Sequence, residues 1–385
     1  MIVDSIAFGD LYRGNVRSVN PAKLPDEAFD LYSVPAYEGR VPESVLGSQI
    51  GSSKAILESG DTVLCKIVPH IRRAWVIPEA GSNRQLGSGE WIVLRHKQVD
   101  PNYLRHLLLA DTFHSQFMNT VAGVGGSLMR ARPAQAAAIR IPLPPLPEQR
   151  RIASILDQAD NLRTKRRSAL SELDAMPDEI LDCELRNADS LPRKVELQEL
   201  VKSGTSVTYG IVQAGVEVEG GVRYIRTGDI VDGEIRIANL RRTSPEIANK
   251  FPRSRVSEGD IVMSIRATVG TTALIDAALD GANLTQGTAR ISPGHEVTSD
   301  FLLAYLRSPS AQQWISAQVK GATFREITLG RLRELPVTVV SSDSQRRVSQ
   351  SLQSLARLKA LQKTHLTKLD ELFASLQHRA FRGEL

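Results

Sequence analysis

"IPLPPLPEQRRIASILDQADNLRTKRRSAL" occupies residues 141–170, and its two parts obey different rules. Pro142, Pro144, Pro145 and Pro147 stiffen the first part, because proline disfavours helix in the residue before it but is accepted in a helix's own first turn. From Ile152 the pattern steps by three and four through Ile155, Ala159, Leu162, Arg166, Ala169, Leu173, Met176 and Ile180, the spacing of a coiled-coil seam. Val348, Leu352, Leu355, Lys359, Gln362, Leu366, Leu369, Phe373, Leu376 and Ala380 repeat that spacing late in the chain. Each helix is expected to span about 35 residues, roughly 50 Å at about 1.5 Å per residue. Matched seams predict that the two pair. With a whole globular segment between them, the pairing should be antiparallel with a domain at each end, and the prolines an elbow onto that rod. The competing reading is a domain core or a dimerisation coil. Arg166 should lie near Gln362 or Lys359, in a polar layer that costs stability and sets register. Pro177 should kink or end the first helix, stopping its seam near Met176.

The rest of the chain repeats itself at about half its length. "SGDTVLCKIV" from Ser59 resembles "EGDIVMSIRA" from Glu258, with their Gly-Asp pairs 199 residues apart. "VDPNYLRHLL" from Val99 matches "VTSDFLLAYL" from Val297, and "PEQRRIASIL" from Pro147 matches "DSQRRVSQSL" from Asp343, at offsets of 198 and 196. Three landmarks in one order mean two copies of one unit. In each copy a Gly-Asp turn leads into a β-rich run (62–68; 261–265), further strands, an amphipathic helix (102–117; 300–319) and then a long helix. The fold class expected is α+β: two similar domains, 1–146 and 189–342, separated by connector helices at 147–188 and 343–385.

Composition agrees with a folded protein of two domains: 385 residues, 42% hydrophobic and 24% charged. The formal charge of +5 permits a polyanionic partner without requiring one. The start, "MIVDSIAFGDLYRG", lacks a basic leader followed by an apolar stretch, and no apolar run is long enough to span a bilayer. Cys65 and Cys183 stand far apart without a CxxC, which fits a reducing cytoplasm and argues against structural zinc.

Catalytic patterns are missing. "GSQIGSSKA" (47–55) puts two serines where a phosphate-binding loop needs Gly-Lys. There is no HExxH, and His106 and His114 fall along the expected helix after Asn102 as packed or solvated side chains. No GxSxG elbow, kinase set or Rossmann glycine turn occurs, and "NPAK" (20–23) lacks the Asn-Pro-Pro-aromatic pattern with which amino-methyltransferases hold a flipped base. The chain is expected to be non-enzymatic, with no catalytic or metal-ligating residue of its own.

Binding chemistry is better represented. Nine basic residues fall between Arg223 and Arg266: those two with Arg226, Arg236, Arg241, Arg242, Lys250, Arg253 and Arg255. Arginines in loops on a β scaffold suit phosphate contacts and bidentate reading of guanine. "SIRATVGTT" (264–272) and "NLTQGTAR" (283–290) add Thr268, Gln286 and Thr288 beside glycines. The first copy offers "KIVPHIRRAW" (66–75), with His70, Arg72 and Arg73, and "SNRQLGSG" (82–89), with Arg84. With Tyr209 and Arg325, these residues and Arg226, Arg241, Arg242, Arg255 and Arg266 are the candidate DNA contacts. Solvated loop arginines are the bland alternative; the recurrence of such residues in the same loops of both copies favours binding. "RTKRR" (163–167), on the first long helix, either holds DNA backbone or is solvated.

"IPLPPLPEQRRIASILDQAD", "GDIVMSIRATVG", "NLTQGTARI" and "VKGATFREITLGRLRELPV" (319–337), together with the duplication, resemble the specificity (S) subunits of type I restriction-modification systems over essentially the full chain. Before the last helix this chain departs from the family pattern, having "LPVTVVSSDSQRR", which loses the Pro-Pro and the Glu and keeps Gln345. The resemblance implies two target recognition domains, each reading one half of a split, asymmetric double-stranded DNA site. It implies helices that dock two methyltransferase (M) subunits, with Gln149, Ile152, Ile155, Gln345, Val348 and Leu352 as candidate partner contacts. No cofactor would sit on this chain. S-adenosylmethionine, used for adenine N6 methylation, would sit on the M subunits, and ATP and Mg would serve the restriction (R) subunits. The diverged loops argue against a palindromic site. A two-headed adaptor scaffolding protein partners is the runner-up, and a nuclease or methyltransferase of unfamiliar motif a weaker third.

Overall fold

The computed structural model describes residues 4–12, 16–122, 129–188, 191–321 and 325–385; Ala322, Thr323 and Phe324 of the quoted "VKGATFREITLGRLRELPV", and the first three residues, lie outside them. The chain divides into two units, Met1–Arg167 with Thr364–Leu385, and Ser168–Lys363.

In the first unit the core strand β1 (Thr62–Cys65) is buried at every position and lies between Ala74–Val76 and Trp91–Leu94, both antiparallel to it. A five-stranded sheet lies beside it, with one parallel pairing between Ala28–Tyr32 and Arg84–Gly87. Two helices follow, α1 (Pro101–Leu109) and α2 (Asp111–Met118). Asp100 caps α1 by accepting the N–H groups of Asn102 and Tyr103, both at 3.0 Å, and Pro101 takes the first helical position, where its missing N–H costs nothing. Phe8, Tyr103, Leu104, Leu107, Phe113 and Phe117 fill the core beneath them, each large side chain contributing about 1.5–3 kcal/mol by leaving water. Ser5–Ala7 pairs with Arg140–Pro142 and closes the unit just before the long helix α3 (Leu146–Arg186).

The second unit repeats this order. Val222–Ile225 (β2) pairs antiparallel with Arg241–Thr243 (β3) and parallel with Asn283–Leu284. The fully buried core strand β4 (Ile261–Ser264) lies between Thr272–Leu274 and Thr288–Ile291. Helices α4 (Ser299–Arg307) and α5 (Pro309–Gln318) follow, with Thr298 capping α4 as Asp100 caps α1. Arg193–Glu196 pairs with Pro336–Val339 ahead of the last long helix, α6 (Ser342–Ala380). The shared turn is built identically. Gly60 and Gly259 take φ of +81° and +83°, and the buried Asp61 and Asp260 carboxylates accept the N–H groups of Glu58 and Ser257 at 2.8 and 2.9 Å. Glycine is required there because that backbone conformation costs other residues a Cβ clash.

Within each unit α3 and α6 run antiparallel. In the first, the Arg151 guanidinium reaches the Leu385 carbonyl at 2.5 Å and Arg163 reaches Asp370 at 2.6 Å. In the second, Asp174 pairs with Lys359 at 3.0 Å and Glu184 with Arg347 at 2.9 Å. The seam of α6 is the one expected, and that of α3 keeps Ile152, Ala159, Leu173 and Ile180 but departs from the expected spacing at Leu162 and Met176. Leu156 is fully buried, whereas Leu162 and Met176 are 55% and 38% exposed. Arg163 takes the seam position instead of Leu162, its guanidinium 4.2 Å above the Phe373 ring and paired with Asp160 and Asp370. A long stem with an aromatic and a carboxylate to satisfy its head buries as well as a leucine does. Pro177 does not end α3, which continues to Arg186 with Leu181 buried in the second core. The two amphipathic runs are each broken once, at Ala110 and at Ser308, whose extended ψ near 150° turns the chain before a second short helix, capped by a side chain only at Ser308. Among the described residues no helix is long and apolar enough to cross a membrane.

Candidate nucleic-acid interface

The loops that leave the two core strands are pinned in the same way. In the second unit the Ser264 hydroxyl donates to the Arg266 carbonyl at 2.8 Å, and in the first the Cys65 thiol, whose pKa burial pushes up, donates to the Ile67 carbonyl at 3.3 Å. Val68 and Ala267, the residues that follow, take left-handed φ values of 47° and 59°. Their N–H groups donate to the carbonyls of Met129 at 2.9 Å and Arg325 at 3.0 Å, so the loops 66–73 and 265–271 are tied to the segments leading toward the unit's exit. A β-branched residue is an outlier in this region. Such strain, about 1–3 kcal/mol per residue, persists only where the surroundings over-determine it and gathers at functional sites.

In the first unit the loop exposes His70, while Arg72 donates to the Leu109 carbonyl at 3.0 Å and pairs with Asp111 at 2.5 Å. Arg73 pairs with Glu38 at 3.2 Å; on the neighbouring sheet Arg84 makes a fork with Glu27 at 2.5 and 2.7 Å and stacks over Phe29.

In the second unit several segments converge on the pinned loop. Gly210 N–H donates to Thr285 O, Gln286 N–H to Ile211 O and Thr285 N–H to Ile225 O, at 3.2, 2.9 and 3.1 Å. A Cβ on Gly287 would stand 3.0 Å from Thr227 and 3.9 Å from Arg266. Tyr209, Arg226, Arg266, Thr268, Gln286 and Arg325 therefore belong to segments that meet at one corner. Tyr209 and Arg325 are exposed there and Gln286 is half-buried. The Thr268 hydroxyl is held by Ser264 at 3.3 Å, Arg266 pairs with Glu326 at 3.1 Å, and Arg226 makes a fork with buried Asp229 at 3.0 and 2.8 Å. Arg241 and Arg242 lie apart, on β3. Arg255 bonds Asn249 at 3.0 Å, and its carbonyl accepts from Arg290.

Thr288 is corrected by the fold: it is wholly buried, its hydroxyl donating to the carbonyls of Ile225 and Thr285, so it forms the floor of the corner rather than its face. Four residues expected at a partner surface also lie inside. Ile152 and Val348 are core residues. Gln149 accepts the Asp100 N–H and donates to the Gln98 and Pro144 carbonyls, at 2.8, 2.9 and 2.7 Å, and Gln345 repeats this with Thr298, Glu296 and Val340 at 2.9, 2.9 and 3.0 Å. Each long helix is thus clamped to the capping residue of its unit's first short helix. Ile155 and Leu352 keep part of their surface open.

The carboxylates that hold the loop arginines differ in kind. Those of Asp111, Glu38 and Glu326 are 89%, 69% and 40% exposed, whereas that of Asp229 is 3% exposed. Exposed pairs contribute only about 0–1 kcal/mol each, so Arg72 and Arg266 can exchange them for phosphate or a base edge at little cost, whereas Arg73, its side chain 13% exposed, is less free to do so. Arg226 is fixed in place, with less of its fork available. Sequence reading missed the glutamine clamps, although the two glutamines stand 196 residues apart in matched motifs, and missed the loop pins, for which valine and alanine carry no local signal.

Comparison with known proteins gives the same assignment. The type I restriction modification DNA specificity domain matches twice, over residues 40–172 and 194–371. The EcoBI specificity subunit of a type I restriction enzyme from Escherichia coli is 28% identical over 276 residues, covering 64% of this chain and 58% of that subunit, so the match spans less than two thirds of the relative's length. Among solved structures, a chain of a type I R-M system covers 99% of this chain and 98% of its own at a TM-score of 0.64 and 22% identity. The S subunit of a type I restriction-modification system from M. genitalium covers 99% and 96% at a TM-score of 0.56 and 13% identity, a likeness of fold. With its duplicated units and both domain matches, the chain belongs to the type I restriction modification DNA specificity domain family.

Proposed function

We propose that this chain is the DNA-binding specificity subunit of a type I restriction-modification complex, reading an asymmetric bipartite site with one half-site per unit. In this reading the target recognition domains are residues 1–146 and 189–342, and the connectors 147–188 and 343–385 position two M subunits for adenine N6 methylation and the R subunits for restriction, in the cytoplasm. The chain supplies placement, and its partners supply the methyl donor, the ATP and the bond-making groups. One observation carries the reading: the same strained, pinned loop occurs in both units with different side chains on it, His70, Arg72 and Arg73 in one and Arg266 and Thr268 in the other. An identical scaffold with different readers suits two unlike half-sites, since sequence is read at base edges by such side chains while backbone contacts only position.

Methylation mapping with single substitutions tests it. Arg72→Gln should relax one half-site and Arg266→Gln the other, by about 1–3 kcal/mol or roughly 5–150-fold at the affected base pair. Unchanged site usage in both variants would remove these loops from the reading. The adaptor alternative has one observation in its favour, that Arg72, Arg73, Arg84, Arg226 and Arg266 are all held by carboxylates of their own unit. It requires partner binding that is insensitive to salt and no DNA binding, whereas phosphate contacts weaken steeply as salt rises.

A further inference from the structure

Arg223 on β2 and Arg242 on β3 face each other in the antiparallel register. Directly opposed side chains on one sheet face have Cβ atoms about 4.5–5.5 Å apart, and like charges so placed destabilise the pairing. Neither arginine has a carboxylate within ion-pairing distance among the described residues. Each spends one terminal nitrogen on a backbone carbonyl, Arg223 on Ala278 at 3.2 Å and Arg242 on Gly221 at 2.8 Å. Both line one cavity of about 280 Å³, with Val222, Asp280, Gly281 and Ala282 among its other walls. Asp280 is the acidic residue on that wall, and its carboxylate accepts the Glu258 N–H at 3.2 Å. The result is two guanidinium groups, that of Arg242 part-buried and that of Arg223 more open, each anchored by one carbonyl, repelling each other, with N–H donors to spare.

We propose that this cavity is an anion site that takes a backbone phosphate of the bound DNA between Arg223 and Arg242. A phosphate group offers several acceptor oxygens to two forks and cancels the repulsion that the empty pair carries. DNA is the source favoured because β2, which carries Arg223, pairs with Asn283–Leu284, and that strand leads directly into Gln286 of the converging corner of the same unit. The proposal rests on the DNA-reading function for its ligand, and on the arginine pair alone for its chemistry.

Two measurements on the full chain separate those parts. The first is thermal unfolding in inorganic phosphate against chloride at matched ionic strength. A tenfold excess over Kd should raise Tm by about 3–5 °C, and Arg223→Gln and Arg242→Gln should each abolish the rise, while Arg223→Lys, which keeps the charge without the fork, should retain part of it. The second is binding of a duplex carrying the recognised site by the assembled complex. Arg223→Gln should reduce the slope of log K against log salt by about one without changing base preference. An equal phosphate effect in wild type and both Gln variants, or none in wild type, overturns the site. A phosphate effect that depends on the arginines, with an unchanged DNA slope, makes free phosphate the ligand and overturns the DNA assignment. No DNA binding by wild type, with that phosphate effect intact, overturns the proposed function and the DNA source but leaves the anion site standing.

Discussion

Replacing Gln345 with alanine removes three hydrogen bonds from a side chain that is 2% exposed. The Thr298 N–H and the carbonyls of Glu296 and Val340 lose their partner together. A buried group left unsatisfied costs about 1–3 kcal/mol, and taking the low end for each gives about 3 kcal/mol. For a unit of this size about 1 kcal/mol moves Tm by 2–4 °C, so Gln345→Ala should lower the melting of the second unit by about 6–12 °C. Gln149→Ala should do the same to the first unit, because Asp100, Gln98 and Pro144 stand where Thr298, Glu296 and Val340 do. Calorimetry gives the overall shift, and hydrogen exchange on peptides from 101–109 and 299–307 reports which unit opened. A Gln345→Ala variant within about 1 °C of wild type would refute the clamp, since no allowance for entering water reduces about 3 kcal/mol to nothing. A Gln149→Ala effect confined to the second unit would refute the equivalence of the two copies.

Leu156→Ala should destabilise the first unit by about 2–5 kcal/mol, whereas Leu162→Lys should cost less than about 0.5 kcal/mol, measured by urea unfolding; the reverse order would restore the seam expected from spacing. His106 is buried, with its Nε2 2.8 Å from Asp157 and Arg105 beside it. Burial first, and then the Arg105 charge, hold its pKa below the ordinary 6.5 against the bond to Asp157. The unfolded chain therefore takes up a proton that the fold refuses, so this contribution is complete above about pH 6.5 and declines as pH falls below it. His106→Gln should flatten that acid-side decline in Tm between about pH 6.5 and 5, and an unchanged slope would place the acid sensitivity elsewhere.

The duplication was legible because the Gly-Asp turns, the helix caps and the glutamine motifs recur in one order, and each is a backbone requirement written in a specific residue. Both short-helix runs were read as unbroken: Pro309 carried a signal of the break at Ser308 that was passed over, and alanine gives no sign of the matching break at Ala110. The seam of α3 was misread at Leu162 because spacing rules favour a leucine over an adjacent arginine; only Phe373, Asp160 and Asp370 make the arginine the better occupant. Pro177 was read as a possible end, yet α3 continues through it and buries Leu181 one turn later, which offsets part of the proline's cost. At the candidate interface, composition pointed to loops rich in arginine. It could not show that Thr288 points into the floor, that Gln149 and Gln345 are spent on backbone, or that exposed carboxylates pair with Arg72 and Arg266.

The most direct test is to map modified adenines in DNA from cells expressing this chain with a candidate methyltransferase subunit, against that methyltransferase alone. A new split, asymmetric adenine-methylated motif should appear only with the chain, and its halves should respond separately to Arg72→Gln and Arg266→Gln. Absence of any new motif, with the same methyltransferase active beside another specificity subunit, would contradict the proposed function.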